Sequence, residues 1–324
     1  MRKYTIAVDI GGTSTKIAVV KGCAIKEKVS FPTQLCKNKK ELIEFISFQV
    51  KILLDRLSIK KSEIFGMGIG LPGLIDYDKG MVHYLVNIPG WKNVPLKKLM
   101  ERSLGMEVFI DNDVNVMALA ELHYGNARGS QDVICITLGT GVGGGIVIAG
   151  RLYRGNAFSA GEIGHVTINP DGPLCNCGNR GCIETFVGNK YLIRNVKDKL
   201  KKKKNKIIDK LTEGNLNRLT PEVLTKAASM GDKFSRDIWG DAGKKLGIVI
   251  ADIVNILNPD KIVIGGGVAN AGGFLFAPLL KTVKSRAMKI PANHVRIVKS
   301  RLGDNAGLIG AATLFMVSKG LVKK

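Results

Sequence analysis

The chain has 324 residues, 45% hydrophobic and 23% charged, with 39 glycines and 10 prolines; this is a folded globular composition and excludes a disordered chain, a collagen-like repeat or a low-complexity scaffold. A chain this long buries roughly three-quarters of its unfolded surface, enough for a core without disulfide staples, and its length points to about two domains. Lys and Arg number 49 against 27 Asp and Glu, a net charge of +22, which favours an anionic partner such as nucleic acid, an anionic membrane or a phosphorylated small molecule.

Tyr4 to Asp9 reads as an apolar strand, Gly11-Gly12-Thr13 as a tight turn and Lys16 to Val20 as a second strand. The start, MRKYTIAVDIGGT, lacks the long apolar stretch and small-residue cleavage site of a secretory signal, so a cytoplasmic location is expected. Across 39–57, Leu42, Ile43, Phe45, Ile46, Val50, Leu53, Leu54 and Leu57 recur at helical spacing. The strand FGMGIG ends in LPG at 71–73, and the strand EVFID at 107–111 runs into a helix from about Val114 to Tyr124, closed by Gly125 in the position where glycine is favoured after a helix.

The run at 133–149 is the most hydrophobic in the chain, but its 17 residues include five glycines and it falls short of the ~20 a membrane helix needs. It predicts two buried strands and a turn. Residues 190–218 carry eleven Lys and Arg, including the run Lys201 to Lys204, against Asp198, Asp209 and Glu213. With only Tyr191 available for stacking, this segment, the Lys-rich 197–210 included, reads as a solvated helical face and not a nucleic-acid site. Thr220 and Pro221 start a further helix; an apolar helix at 245–257, strands at 261–267 and 294–298, and a closing helix at 305–318 follow.

The strand, glycine turn and strand of the opening recur at 135–148, which predicts two similar α/β lobes. The first covers 1–115, with the closing segment 305–324 packed on it; the second covers 116–304, and the hinge is expected near 114–130.

A glycine turn between strands leaves backbone N–H groups free and lets a phosphate approach without a Cβ in the way. Asp9 stands before Gly11, Gly12 and Thr13, where a carboxylate is placed to hold Mg²⁺ through water, and Lys16 adds charge. The second turn, with Thr140, Gly141 and the glycines around them, has no equivalent Asp, and Gly265, Gly266 and Gly267 offer bare backbone for an adenine ring. Singly, each such turn is more often a plain hairpin. Neither matches the P-loop or dinucleotide fingerprint, so a dehydrogenase is disfavoured; three clusters together point towards a nucleotide.

Cys175, Cys177 and Cys182 fall within eight residues, with Gly178 and Gly181 to fold the loop and His165 ten residues upstream. Cys₃His is the closed donor set of a structural zinc, and thiols in a chain with no export signal are better read as metal ligands than as disulfides. Cys23, Cys36 and Cys135, and His83, His123 and His294, carry no such pattern. Glu162 and Glu184 bracket the metal loop, placed for a polyol's hydroxyls. Asp111-Asn112-Asp113, at a strand end and helix start, fits both a helix cap and a general base favoured by the helix N-terminus; capping is the commoner role.

Together these residues resemble the ROK family (repressors, open reading frames and kinases), through DIGGTSTK (9–16), GLPGLID (70–76), NIPGW (87–91), DNDVNVMALAE (111–121), LGTGVGGG (138–145), GEIGH (161–165), CNCGNRGCIE (175–184) and IVIGGGV (262–268). The resemblance implies a two-lobed, actin-like ATPase fold of the hexokinase type, ribonuclease H-like in each α/β lobe, with a zinc-bound loop. It implies that Asp113 deprotonates the attacking sugar hydroxyl, and that Asn112, Glu162, His165 and Glu184, with backbone near Gly70 and Gly73, bind the sugar. Asp9, Gly11, Gly12, Thr13, Lys16, Thr140 and Gly141 would hold the phosphates of ATP and Mg²⁺, with Gly265 to Gly267 at the adenosine. His165, Cys175, Cys177 and Cys182 would hold Zn²⁺.

Repressors of the family carry a DNA-binding segment ahead of the first loop, whereas here Asp9 follows only eight residues, and fructokinase-type members differ at the metal loop. NIPGW and the CNCG loop look most like the glucokinase branch, which implies phosphorylation of glucose at its 6-hydroxyl. Kinases of N-acetylmannosamine, N-acetylglucosamine or allose are the near alternatives, and a non-catalytic sugar-sensing regulator is the alternative of a different class. A homodimer or tetramer, without nucleic-acid or membrane partners, is expected.

Overall fold

The structure is a computed structural model that describes residues 2–85 and 90–322. Asn87, Ile88 and Pro89 of the NIPGW motif, and Lys323 and Lys324 of the expected closing segment, lie outside the described residues.

The chain opens with β1 (Tyr4–Ile10), β2 (Ser14–Lys21) and β3 (Ala24–Pro32), followed by α1 (Lys39–Arg56) and β4 (Ile64–Leu71). Three short strands, β5 (Leu74–Asp76), β6 (Met81–Tyr84) and β7 (Lys92–Val94), form an antiparallel sheet of their own. After α2 (Leu96–Leu104) and β8 (Val108–Asn112) comes α3 (Asp113–Tyr124). The first large sheet has the order β3-β2-β1-β4-β8, its hairpin strands antiparallel and β1, β4 and β8 parallel.

The faces of this sheet follow the two-residue period of a strand. Ile6, Val8 and Ile10 of β1 and Met67, Ile69 and Leu71 of β4 are fully buried in one core with α1 and α2. On the other face β4 presents Gly66, Gly68 and Gly70. A Cβ at 68 would collide with the Ala311 carbonyl and one at 66 with the Phe315 ring. Alternating glycine here lets α11 (Ala306–Ser318) lie directly on the strand.

The second half begins with β9 (Val133–Leu138), β10 (Val142–Ile148) and β11 (Arg151–Tyr153), then runs through α4 (Glu184–Val187), α5 (Asn189–Lys202), α6 (Lys206–Thr212), α7 (Pro221–Ser229) and α8 (Lys233–Leu257). It ends with β12 (Lys261–Gly265), α9 (Gly273–Arg286), α10 (Lys289–His294) and β13 (Arg296–Lys299) before α11. The second large sheet has the order β11-β10-β9-β12-β13. In both sheets, therefore, the order by appearance is third, second, first, fourth, fifth. The repeated strand, turn and strand of the sequence is the start of a repeated sheet. Two glycines one helical turn apart, Gly243 and Gly247, let α8 lie close to α9: a Cβ at 247 would stand 2.8 Å from the Leu279 carbonyl oxygen.

The chain divides into two compact units: Met1–Cys135 with Gly145–Ala160 and Ser300–Lys324, and Ile136–Gly144 with Gly161–Lys299. The expected boundary at 115/116 would cut α3, whose residues 114–122 are all buried; the stretch 114–130 therefore holds a packed helix where a hinge was expected. The reason is contact with α11, since a Cβ on Gly310 would collide with the Val116 carbonyl. Gly125 ends α3 with φ −104°, not in the left-handed region; it is glycine because a Cβ would collide with the Glu121 carboxylate. The apolar helix expected at 245–257 begins twelve residues earlier, at Lys233, and His294 closes α10 and does not open β13. Among the described residues no helix is long and apolar enough to cross a membrane.

Candidate active site and metal centre

Asp9, Gly70 and Asp111 are register partners across the parallel strands β1, β4 and β8. All three stand near the carboxyl ends of their strands, the edge at which open α/β sheets bind ligands. Gly70 is buried, and a Cβ there would lie 2.6 Å from Val116 Cγ2, so glycine is required at 70 for packing. Gly73 has φ +104°, and its carbonyl accepts from Asn112 Nδ2 at 3.3 Å.

The first glycine turn closes through Gly11 N–H to Ser14 O at 2.9 Å. Thr33 braces it, donating its hydroxyl to Gly11 O at 2.7 Å and its N–H to Thr13 O at 3.0 Å. Thr13 is exposed and Gly12 half-buried. Burial raises the Asp9 carboxyl above its ordinary range, and Lys16, its register partner on β2, opposes the shift. Lys16 also reaches the Asp304 carbonyl at 3.2 Å. The first turn of α11 approaches the same carboxylate: a Cβ on Gly307 would stand 2.5 Å from Asp9 Oδ2. The sequence reading missed Gly307; its only signal was a glycine just inside the closing helix.

At the β8–α3 junction the two readings of Asp111-Asn112-Asp113 separate onto different residues. Asn112 is the cap, its Oδ1 accepting from Val114 N at 2.9 Å and Asn115 N at 3.4 Å. Asp113, in the first turn and half-buried, accepts from Val114 N at 2.9 Å. Asp111 is buried. Its Oδ1 accepts from Asn112 N at 2.8 Å and Asn115 Nδ2 at 2.9 Å, and its Oδ2 accepts from Arg154 Nε at 2.8 Å and Nη2 at 2.6 Å. The Arg154 guanidinium lies 3.9 Å from the centroid of the Tyr77 ring. Arg154, forty-three residues from its partner, was not legible as a site residue.

In the second unit the turn at Gly139–Gly141 is tied to the chain that follows the metal loop. Asn189 N–H donates to Gly139 O at 2.9 Å and Lys190 N–H to Thr140 O at 3.3 Å. Glu184 accepts from Val142 N at 2.9 Å, and a Cβ at 141 would collide with its carboxylate. Thr140 is exposed.

His165, Cys175, Cys177 and Cys182 bring one ligand atom each within 4.8 Å of one another. Cys175 Sγ lies 3.7 Å from His165 Nδ1, and Cys177 Sγ lies 3.7 Å from Cys182 Sγ. A tetrahedral ion with bonds of about 2.3 Å to sulfur sets two sulfurs roughly 3.8 Å apart, so the residues fit zinc. Gly178 and Gly181 both have positive φ, as the folded-back loop requires. The Asn179 backbone pulls the Cys177 thiol below its ordinary range, while burial and the neighbouring thiols push Cys182 up.

Of the third glycine cluster, Gly265 is buried as the last residue of β12, so it offers no surface to a ring. Gly266, with φ +87°, and Gly267 are exposed, and Gly267 lines a cavity of about 270 Å³ with Pro221, Glu222, Thr225, Lys226, Ser229 and Asn270. A larger cavity of about 660 Å³, between the C-terminal ends of α1 and α2, contains none of the residues above.

The repeated mixed sheets, with glycine turns at their first hairpins, define an actin-like ATPase fold. The chain belongs to the ROK family, whose signature it matches over residues 5–317. It is 35% identical over 310 residues to a glucokinase of Thermotoga maritima, covering 95% of this chain and 96% of that one. A ROK family glucokinase from Streptomyces griseus, solved with glucose and AMPPNP, superposes with a TM-score of 0.82 at 31% identity, over 96% of this chain and 98% of that one. A ROK family transcriptional regulator, a homologue of the Escherichia coli MLC protein, superposes with a TM-score of 0.87 at 25% identity, over 97% of this chain and 78% of its own.

Proposed function

We propose that this chain is an ATP-dependent sugar kinase that transfers the γ-phosphoryl group of ATP to the 6-hydroxyl of glucose. The observation that carries the reading is the β8–α3 junction: Asn112 takes the N-cap, and the half-buried Asp113 holds its carboxylate in the first turn of a twelve-residue helix, where negative charge is favoured. Phosphoryl transfer depends chiefly on positioning and on neutralising charge, and the base supplies about 10²–10⁴ in rate. Asp113 takes the proton of the 6-hydroxyl as that oxygen bonds to the γ-phosphorus; the bond to the β,γ-bridging oxygen breaks and ADP leaves.

Asn112, which holds the Gly73 carbonyl while capping α3, binds a sugar hydroxyl, and Gly70 acts through packing. In the second unit Glu162, His165 and Glu184 bind the other hydroxyls. Gly11, Gly12, Thr13, Lys16, Thr140 and Gly141 hold the phosphates, and Gly266 and Gly267 lie at the adenosine. Asp9 would hold Mg²⁺, which when bound neutralises phosphate charge. Zinc on His165 and the three cysteines would fix the imidazole for the sugar, as a metal orients its ligands. We place the enzyme in the cytoplasm as a homo-oligomer without a nucleic-acid partner.

The test is ADP release by zinc-replete protein with Mg-ATP and glucose, mannose, fructose, N-acetylmannosamine or N-acetylglucosamine. A clear glucose preference is expected. Preference for an acetylated sugar would keep the mechanism and overturn the substrate; silence throughout, with glucose bound, would identify a non-catalytic sensor.

A further inference from the structure

The five residues from Asp111 to Asn115 form a closed loop. Asp111 Oδ1 accepts from Asn115 Nδ2 at 2.9 Å and also from the Asn112 backbone at 2.8 Å. The middle residue of this loop is Asp113. One oxygen of Asp111 thus ties down the residue before Asp113, through its backbone N–H, and the residue two places after it, through its side-chain amide, while the other oxygen is held by Arg154.

Asp111 is 1% exposed and its side chain is 2% exposed; the side chain of Arg154 is 19% exposed. A carboxylate this deep requires a partner, since an unpaired buried charge is costly. Two donors of one guanidinium supply it, at 2.8 and 2.6 Å, and the planar fork fixes the direction of the carboxylate as a lysine ammonium does not. The Tyr77 ring beneath the guanidinium fixes the fork in turn. Tyr77 is itself anchored, its hydroxyl 2.7 Å from Ser318 Oγ on α11.

We propose that Arg154 is a positioning residue for phosphoryl transfer: through Asp111 it sets the backbone at Asp113, so that the base meets the attacking hydroxyl. This rests on the reading of Asp113 as the base. Arg154 need not touch substrate. Loss of the fork lets the Asp111 carboxylate turn, the bond to Asn115 loosens, and the Asp113 carboxylate wanders from the angle transfer requires. A misplacement of about 1 Å costs on the order of 10²-fold in rate.

Stability and positioning separate because an apolar pair of similar bulk replaces a buried ion pair with little loss of stability. Four variants are compared with wild type for kcat, glucose KM and melting temperature: Arg154→Gln, Arg154→Lys, the double variant Asp111→Leu/Arg154→Met, and Asp113→Asn. Arg154→Gln is expected to lower kcat by about 10²-fold with glucose KM within about threefold, and to melt earlier. Arg154→Lys is expected to keep most of the stability and only part of the rate. The double variant is expected to melt near wild type yet keep the low kcat of Arg154→Gln.

Recovery of kcat with melting temperature in the double variant would make the ion pair merely structural and overturn the proposal. Should the double variant not fold, wild-type kcat in Arg154→Lys would do the same. Turnover retained in Asp113→Asn would instead overturn the reading of the base.

Discussion

The two ring nitrogens of His165 face different groups: Nδ1 lies 3.7 Å from Cys175 Sγ and Nε2 lies 3.9 Å from Glu162 Oε2. A metal on Nδ1 would fix the tautomer and leave Nε2–H as a donor beside a carboxylate. One residue therefore joins the metal loop to Glu162, the carboxylate proposed above to bind a sugar hydroxyl.

Cys177→Ser is expected to lower bound zinc and raise glucose KM by about 10–100-fold, the usual scale for disturbing a metal's supporting groups. Elemental analysis and steady-state kinetics on the same preparation check it. A zinc-free variant with wild-type KM would detach the metal from sugar binding.

Asp113→Asn keeps the size and most of the polarity of the side chain but cannot take a proton. It is expected to lower kcat by about 10²–10⁴-fold and leave glucose affinity within a few-fold. Calorimetric titration with glucose beside the coupled assay separates the two effects.

Asp9 carries a pH dependence whose sign follows from burial. Its carboxyl is raised above the ordinary value by burial, with Lys16 opposing. A raised pKa means that the folded state holds its proton more tightly than the unfolded state. The associated stability is fully present below the unfolded pKa and is lost as pH rises through the folded one. Asp9→Asn is therefore expected to melt later than wild type at neutral pH without nucleotide, to show a smaller difference in strong acid, and to lose turnover. Thermal melts across a pH series check this; a variant less stable than wild type at neutral pH would contradict it.

Gly307→Ala places a methyl group against the Asp9 carboxylate. Overpacking of this kind costs about 1–3 kcal/mol. Turnover and the KM for Mg-ATP are expected to worsen while glucose affinity holds, as measured by calorimetry.

Much of this fold was written in local pattern. The strand, glycine turn and strand appears twice because both sheets begin with the same hairpin, and the Cys₃His set was readable because three of its members share one short loop. The start of α8 was hidden because its apolar periodicity is broken by Gly240 and by charged residues on its exposed side. β3 escaped notice because it alternates exposed with half-buried positions and reads as a charged loop. Arg154 could not be read at all: its meaning lies in a carboxylate forty-three residues away, and an arginine at the end of a strand has no periodicity to announce it. Gly265 was misread for the opposite reason, since three glycines in a row do not say which of them the strand will bury.

The most direct test of the central claim is phosphorus NMR of the purified protein with Mg-ATP and glucose, followed to completion. The account requires glucose 6-phosphate and ADP to appear in equal amounts, and neither to appear with Asp113→Asn on the same timescale. Glucose bound with no sugar phosphate formed, or equal rates for wild type and Asp113→Asn, would contradict it.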